Sequence, residues 1–154
     1  MTPKQHGNTY VAGQFALIIA LAFLPTPADW NSSSPLASAD LVIFVLGWAV
    51  LIGGIIGLGR SLTANPVPLE AAKLKTTGLY AVVRHPIYFG LILLGAAMAG
   101  KAGSALAGLL FLGLVILLNF KARFEERLLL AKFPEYAAYA AKVGRLFPGV
   151  GKLK

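Results

Sequence analysis

The stretch from Leu41 to Gly59 reads LVIFVLGWAVLIGGIIGLG and contains no charged residue. About 20 apolar residues in a helix are enough to cross the hydrocarbon core of a bilayer. The apolar residues are continuous and do not alternate with polar ones, so the stretch predicts a helix and not a strand of a membrane barrel. A helix also satisfies its own backbone hydrogen bonds in lipid, where water is absent.

Three further apolar runs accompany it, Tyr10–Leu24 before it and Pro86–Gly100 and Gly103–Phe120 after it. The composition agrees, because only 13% of the residues are charged, whereas a soluble domain usually has about 25%. We therefore expect an all-α integral membrane protein with about four short transmembrane helices. The whole chain, residues 1–154, is expected to form a single membrane domain.

Only Lys101 and Ala102 separate the third run from the fourth, which predicts an antiparallel helical hairpin. Small residues permit close approach of helix backbones in a membrane. The third run is rich in them, and we expect them to bring its helix close to the fourth: Gly90, Gly95, Ala96, Ala97 and Gly100.

The basic residues predict the orientation. The chain has 14 Lys and Arg residues, and all but Lys101 fall on one side if both termini are cytoplasmic. The segment Pro25–Asp40, with Asp29 and Asp40, carries no basic residue. This is the arrangement that the positive-inside rule selects, so the net charge of +8 is interpreted as topology and not as nucleic-acid binding. We expect a multi-pass protein of a prokaryotic inner membrane.

A cytoplasmic C-terminal helical segment is expected after the fourth run. The helical pattern continues past Phe120 to Leu129, Pro134 breaks it, and a further short helix follows. The chain has no cysteine and two histidines. Disulfides, thiolate zinc sites and a cysteine nucleophile are thus excluded, and no metal site is expected.

The densest polar motif, Gly78–Gly90, reads GLYAVVRHPIYFG. Pro86 suits the first position of a helix, which places His85 at the N-cap. The free N–H groups there favour a carboxylate or a phosphate, Arg84 adds a positive charge, and the neighbouring tyrosines add aromatic faces. The alternative is that these side chains are ordinary anchors at the membrane interface.

A second motif, Lys121–Arg127, reads KARFEER. The neighbours Glu125 and Glu126 differ by about 100° around a helix, so one is expected to point into a pocket while the other meets Arg123, Arg127 or solvent. The alternative is a charged interfacial helix. A third motif, with Tyr136 and Tyr139, predicts on its own a small amphipathic helix on the membrane surface.

Taken together, these three motifs in this order resemble the isoprenylcysteine carboxyl methyltransferase family and the related phospholipid methyltransferases. The resemblance covers roughly residues 65–148. Two positions depart from the family pattern. Lys121 stands where the family has an arginine, and Phe133-Pro134-Glu135-Tyr136 is one residue shorter than the family's usual Phe-Gly-x-x-Tyr.

The resemblance implies a membrane-embedded methyltransferase that uses S-adenosylmethionine. The expected reaction is O-methylation of a lipophilic or lipidated acceptor, such as an isoprenylcysteine-like carboxylate, with Arg84 and Lys121 as catalytic residues. Lys121 would also bind the substrate, and membrane lipid is an expected partner. The implied cofactor contacts are Leu74, Lys75, Tyr80, His85, Ile87, Tyr88 and Glu125.

Two other functions are compatible with the sequence. One is a non-enzymatic helical membrane protein that binds anionic lipid through Arg84 and the basic C-terminal segment. The other is a membrane reductase of the sterol-reductase type. Against the second, the chain is short and has no dinucleotide fingerprint of the Gly-x-Gly-x-x-Gly kind.

Overall fold

The computed structural model describes residues 2–28 and 34–153. Asp29 and Lys154, which contribute to the charge argument above, lie outside the described residues. Within the described ranges no β strand forms, and the predicted all-α class is confirmed. The helices are α1 (Pro3–Ala22), α2 (Pro35–Leu58), α3 (Pro86–Ala102), α4 (Ala105–Lys132) and α5 (Tyr136–Lys142).

α1 begins two turns before the apolar run that predicted it. The side chain of Thr2 accepts the N–H of Gln5, and the side chain of Gln5 accepts the N–H of Thr2. This reciprocal capping box satisfies two N–H groups that a helix start otherwise leaves unpaired. Apolarity alone could not find this boundary, because the first two turns of α1 are polar.

Two segments are long and apolar enough to cross a membrane: Pro35–Ser61, which contains α2, and Ala105–Lys132, which is α4. α3 is apolar but shorter. The break after Lys132 and the short helix at Tyr136 agree with the sequence pattern. The number of four spans and the cytoplasmic position of both termini stay predictions.

α3 is the central element, packed against α2 on one side and α4 on the other, while α1 packs mainly on α4. Gly95 faces Leu114 of α4, as predicted for the hairpin. Gly90, however, lies against the backbone of Leu51, and Gly100 lies against Asp40. The prediction that all the small residues serve the α3–α4 contact was therefore wrong, because these two glycines lie on the face of α3 that meets α2.

The segment after α5 folds back onto the entry to α3. The N–H of Arg84 donates to the carbonyl of Gly144 (2.8 Å), and the N–H of His85 donates to the carbonyl of Arg145 (3.1 Å). A parallel bridge joins Val83 to Gly144. These backbone bonds fix the position of the first turn of α3 relative to α5.

Candidate functional site

Two adjoining cavities meet at the start of α3. The larger, of about 410 Å³, lies between α1, α2, α3 and α4 and has mainly apolar walls. The smaller, of about 70 Å³, lies between the loop that follows α2, the C-terminal half of α4, and α5. The two cavities share four lining residues, of which two are titratable: Leu58, Thr63, His85 and Glu125.

His85 lies at the N-cap of α3 between two carboxylates. Its Nδ1 is 3.7 Å from Oε2 of Glu125, and its Nε2 is 3.3 Å from Oε1 of Glu126. The imidazole is parallel to the ring of Tyr88, with 5.2 Å between the ring centroids. The two carboxylates and the ring of Tyr88 thus hold the imidazole of His85 in one orientation at the boundary of the two cavities.

Glu125 is the more accessible of the adjacent acids, with a quarter of its side chain exposed. The hydroxyl of Tyr88 donates to its Oε2 at 2.6 Å. This bond joins the first turn of α3 to α4. Because neighbouring helical residues differ by about 100° in direction, Glu125 faces both cavities while Glu126 points away from them.

Among the residues that the structure describes, Lys121 is the one Lys or Arg in the lining of the large cavity, and it is 1% exposed. Its Nζ donates to Oε1 of Gln14 on α1 (2.7 Å) and lies 4.8 Å from the ring centroid of Tyr88. Gln14 itself is 8% exposed and lines the same cavity. The pair presents an ammonium and an amide to a cavity whose walls are mainly apolar.

Arg84 is enclosed by α4 and the C-terminal segment. Its guanidinium donates to Oε1 of Glu126 (2.7 Å) and to the carbonyls of Ala140 (2.7 Å) and Gly151 (2.9 Å). Arg145 donates to the other oxygen of Glu126, Oε2 (2.8 Å). We call this set of ionic contacts and hydrogen bonds the Arg84–Glu126 clasp. It joins α3, α4 and the end of α5 around the small cavity.

The lining of the small cavity is more polar than that of the large one, although it also contains apolar side chains. The segment Ala72–Lys75 lies on one side of it, held by a hydrogen bond from the N–H of Lys73 to Ser61 (3.2 Å). Tyr136 and Tyr139 lie on the other side. Burial raises the pKa of the Tyr136 hydroxyl well above its usual value and raises that of Tyr139 to about 12, so both stay neutral near neutral pH.

The hydroxyl of Tyr136 is buried and has no hydrogen-bond partner within the described part of the chain. A buried polar group without a partner costs about 1–3 kcal/mol. In a cavity wall such a group is available to a polar ligand.

The structure brings the predicted site residues to these two cavities. Leu74, Lys75 and Arg84 line the small one. Tyr80, Ile87, Tyr88 and Lys121 line the large one, and His85 and Glu125 line both. Arg84, expected as a catalytic residue, has its guanidinium in the clasp and not in the large cavity.

Two residues of the site were missed by the sequence reasoning. Gln14 could have been noticed as a single amide within the apolar run of α1. The acid that does not face the pocket was expected to meet Arg123, Arg127 or solvent. This was wrong, because the carboxylate of Glu126 is buried and accepts from Arg84 and Arg145, which the fold brings to α4 from distant parts of the chain.

Comparison with known proteins points to one family. Residues 40–131 match the model of the isoprenylcysteine carboxyl methyltransferase (ICMT) family. This match covers parts of α2 and the loop after it, all of α3 and nearly all of α4. It omits α1 and the tyrosines of α5.

Three curated relatives show the range of the similarity. Methanethiol S-methyltransferase from Pseudomonas deceptionensis is 29% identical over 92% of this chain and 59% of its own length. The protein of the same name from Pseudomonas sp. (strain GM41(2012)) is 32% identical over 91% of this chain and 58% of its own length. The nickel-cobalt-cadmium resistance protein NccN from Alcaligenes xylosoxydans xylosoxydans is 26% identical over 85% of this chain and 60% of its own length. The chain thus spans about three fifths of the length of these relatives.

Proposed function

The chain belongs to the isoprenylcysteine carboxyl methyltransferase family, and we propose that it is a membrane-embedded, S-adenosylmethionine-dependent methyltransferase with a lipophilic acceptor. The observation that carries the proposal is that His85 and Glu125 line both a mainly apolar cavity and a smaller one whose lining is more polar. A polar methyl donor and an apolar acceptor need such a shared boundary, because the reacting atoms must come within about 3–3.5 Å of each other.

The small cavity, of about 70 Å³, cannot hold the whole of S-adenosylmethionine, but the residues around it fit the polar groups of the cofactor. Glu125 offers a carboxylate to a cationic or hydroxyl group, and the unpaired hydroxyl of Tyr136 offers a further polar contact. Lys75 offers a positive charge for the carboxylate of the cofactor. The other expected contacts are Leu74, Tyr80, His85, Ile87 and Tyr88. When bound, the cofactor supplies a methyl group on a sulfonium sulfur.

Lys121 and Gln14 are the proposed acceptor contacts. The ammonium of Lys121 would stabilise an anionic acceptor atom, and the bond to Gln14 fixes its direction. A thiolate or carboxylate needs no strong general base, so the protein mainly has to align the reactants and exclude water. Because relatives carry the name S-methyltransferase, we propose an alkyl thiol as acceptor and keep O-methylation as the alternative. The thiol would lose its proton to water and react as the thiolate, with the new carbon–sulfur bond forming as the bond from the methyl group to the sulfonium sulfur breaks.

Arg84 is proposed to act as a positioning residue. Its guanidinium holds Glu126 and the C-terminal segment, and Glu126 in turn lies 3.3 Å from His85. We further propose that the whole chain is one membrane domain. The site within it is wider than residues 65–148, since α1 contributes Gln14 and α2 contributes Leu51 and Ile55 to the large cavity.

The testing experiment is titration calorimetry of the protein in lipid nanodiscs, with S-adenosylmethionine and, separately, with a reduced nicotinamide dinucleotide. We expect binding of the first only, with loss of binding in His85→Ala and Glu125→Ala. Glu70→Ala is the matched control, because Glu70 is exposed and lines neither cavity. Equal affinities in all variants, or binding of the dinucleotide alone, would overturn the proposal.

Acceptor chemistry is tested with a methyl-labelled cofactor and two probes of equal chain length, an alkanethiol and an alkanoic acid. Label in the thioether supports S-methylation, and label in the ester supports the O-methylation expected from the sequence. Cofactor binding without label in either product would refute both acceptor assignments.

A further inference from the structure

A surface groove of about 470 Å³ lies on the side of α4 away from the candidate cofactor site. Arg123 and Arg127 of α4 and Arg145 of the C-terminal segment line it, together with the apolar side chains of Phe120 and Leu130. We call it the arginine groove. None of these residues lines either cavity of the candidate site.

The groove carries an excess of positive charge. Within residues 2–28 and 34–153, Glu126 is the one acid in its lining. Both oxygens of that carboxylate accept hydrogen bonds, Oε1 from Arg84 and Oε2 from Arg145. Arg123 and Arg127 are exposed, and four residues apart they share one helix face. Two guanidiniums on one face can hold a phosphate through paired N–H donors.

An apolar stripe on α4 leads to these arginines. Leu109, Leu112, Ile116 and Phe120 are between 48% and 66% exposed. Their spacing of three or four residues places them on one face of the helix, and the same spacing continues to Arg123 and Arg127. One face of α4 is therefore apolar along its length and ends at two positively charged side chains, those of Arg123 and Arg127.

We propose that the arginine groove binds an anionic phospholipid. The phosphate lies between Arg123, Arg127 and Arg145, and one acyl chain lies along the apolar stripe. A free phosphate would use the arginines but not the stripe, and a zwitterionic lipid would gain less from the excess charge. Since the groove shares no lining residue with either cavity of the candidate site, the proposal does not depend on the proposed enzyme activity.

The test is native mass spectrometry of the purified protein titrated with phosphatidylglycerol or phosphatidylcholine of identical chains. The groove variant is Arg123→Gln/Arg127→Gln. The control variant, Arg60→Gln/Lys142→Gln, removes the same charge from two exposed sites that line no described cavity. Arg123→Lys/Arg127→Lys keeps the charge and serves if the neutral variant fails to fold.

We expect the groove variant to weaken phosphatidylglycerol binding by about thirtyfold and the control by less than about threefold. The lysine variant should fall between them, because lysine cannot make the bidentate contact. Equal losses of phosphatidylglycerol affinity in the groove and control variants would overturn the proposal, because binding would then depend on the total charge and not on the arginine groove. Equal binding of the two lipids, or displacement of phosphatidylglycerol by inorganic phosphate, would also overturn the proposal.

Discussion

The hydroxyl of Tyr88 donates a 2.6 Å hydrogen bond to Oε2 of Glu125. It joins two motifs that are far apart in the sequence, the entry to α3 and the acidic pair on α4. Both side chains line the large cavity. The bond therefore ties the first turn of α3 to the proposed cofactor carboxylate.

Tyr88→Phe removes this bond and keeps the ring that stacks on His85. A hydrogen bond to a charged group contributes about 1.5–3 kcal/mol, so we expect affinity for S-adenosylmethionine to fall by about tenfold or more. Calorimetry gives the dissociation constant. Tyr10→Phe is the control, because Tyr10 lines neither cavity of the site. An unchanged constant for Tyr88→Phe would remove the Tyr88–Glu125 pair from the cofactor site.

Lys121→Met removes the only Lys or Arg charge that the described residues contribute to the lining of the large cavity. Loss of one electrostatic contact to the reacting atoms typically costs about 100-fold or more in rate, and we expect kcat/KM for the acceptor to fall by that factor. Cofactor affinity should stay within about threefold of the wild type. Steady-state kinetics and calorimetry separate the two effects.

Lys121→Arg, which restores the residue expected from the family resemblance, should retain more activity than Lys121→Met. Lys142→Met, at an exposed site, controls for the loss of charge. If Lys121→Met weakened cofactor binding as much as turnover, its role as an acceptor contact would be wrong.

Arg84→Met opens the Arg84–Glu126 clasp and leaves a carboxylate with 4% side-chain exposure short of one partner. Removing one partner of a buried ion pair costs about 3–5 kcal/mol, so we expect a large fall in the melting temperature. Circular dichroism of the helical signal in detergent measures it. Arg84→Met/Glu126→Met should recover part of it. A melting temperature like that of Arg60→Met would mean that the clasp does not stabilise the fold.

Gly90→Ala tests the approach of α3 to α2. A Cβ at Gly90 would lie 2.7 Å from the backbone nitrogen of Leu51 and 2.9 Å from the carbonyl oxygen of Gly47. Such overpacking typically costs about 1–3 kcal/mol. Gly108→Ala in α4 meets no atom within 4 Å and should be neutral or stabilising, since alanine favours a helix by about 1 kcal/mol over glycine. Equal melting temperatures for the two variants would contradict the packing described.

The presence of the helices was predictable because apolar runs and the residues at helix ends lie within or next to the helix that they indicate. Pro35 and Pro86 stand at the first positions of α2 and α3, and Gly103, with φ of +58°, ends α3. Which neighbouring helix a small residue faces depends on the tertiary packing and not on the sequence around that residue. Gly90 and Gly95 were therefore assigned to one interface although they serve two.

The residues of the candidate site were predictable only where they belong to a sequence motif of the family resemblance. The resemblance named His85, Tyr88 and Glu125, and the structure brings them together. Besides Glu126, the partners of Arg84 are backbone carbonyls more than fifty residues away. A pattern of side chains in the sequence does not show which carbonyls a guanidinium will meet. The contact of Gln14 with Lys121 depends likewise on how α1 packs against α4.

The most direct test of the central claim is an experimental structure of the protein in nanodiscs with S-adenosylhomocysteine bound. We predict that the sulfur of the ligand lies at the boundary of the two cavities, in contact with His85 or Glu125, and that its polar ends face Tyr136 and Lys75. A ligand bound elsewhere on the chain, or a saturated sample with both cavities empty, would contradict the account.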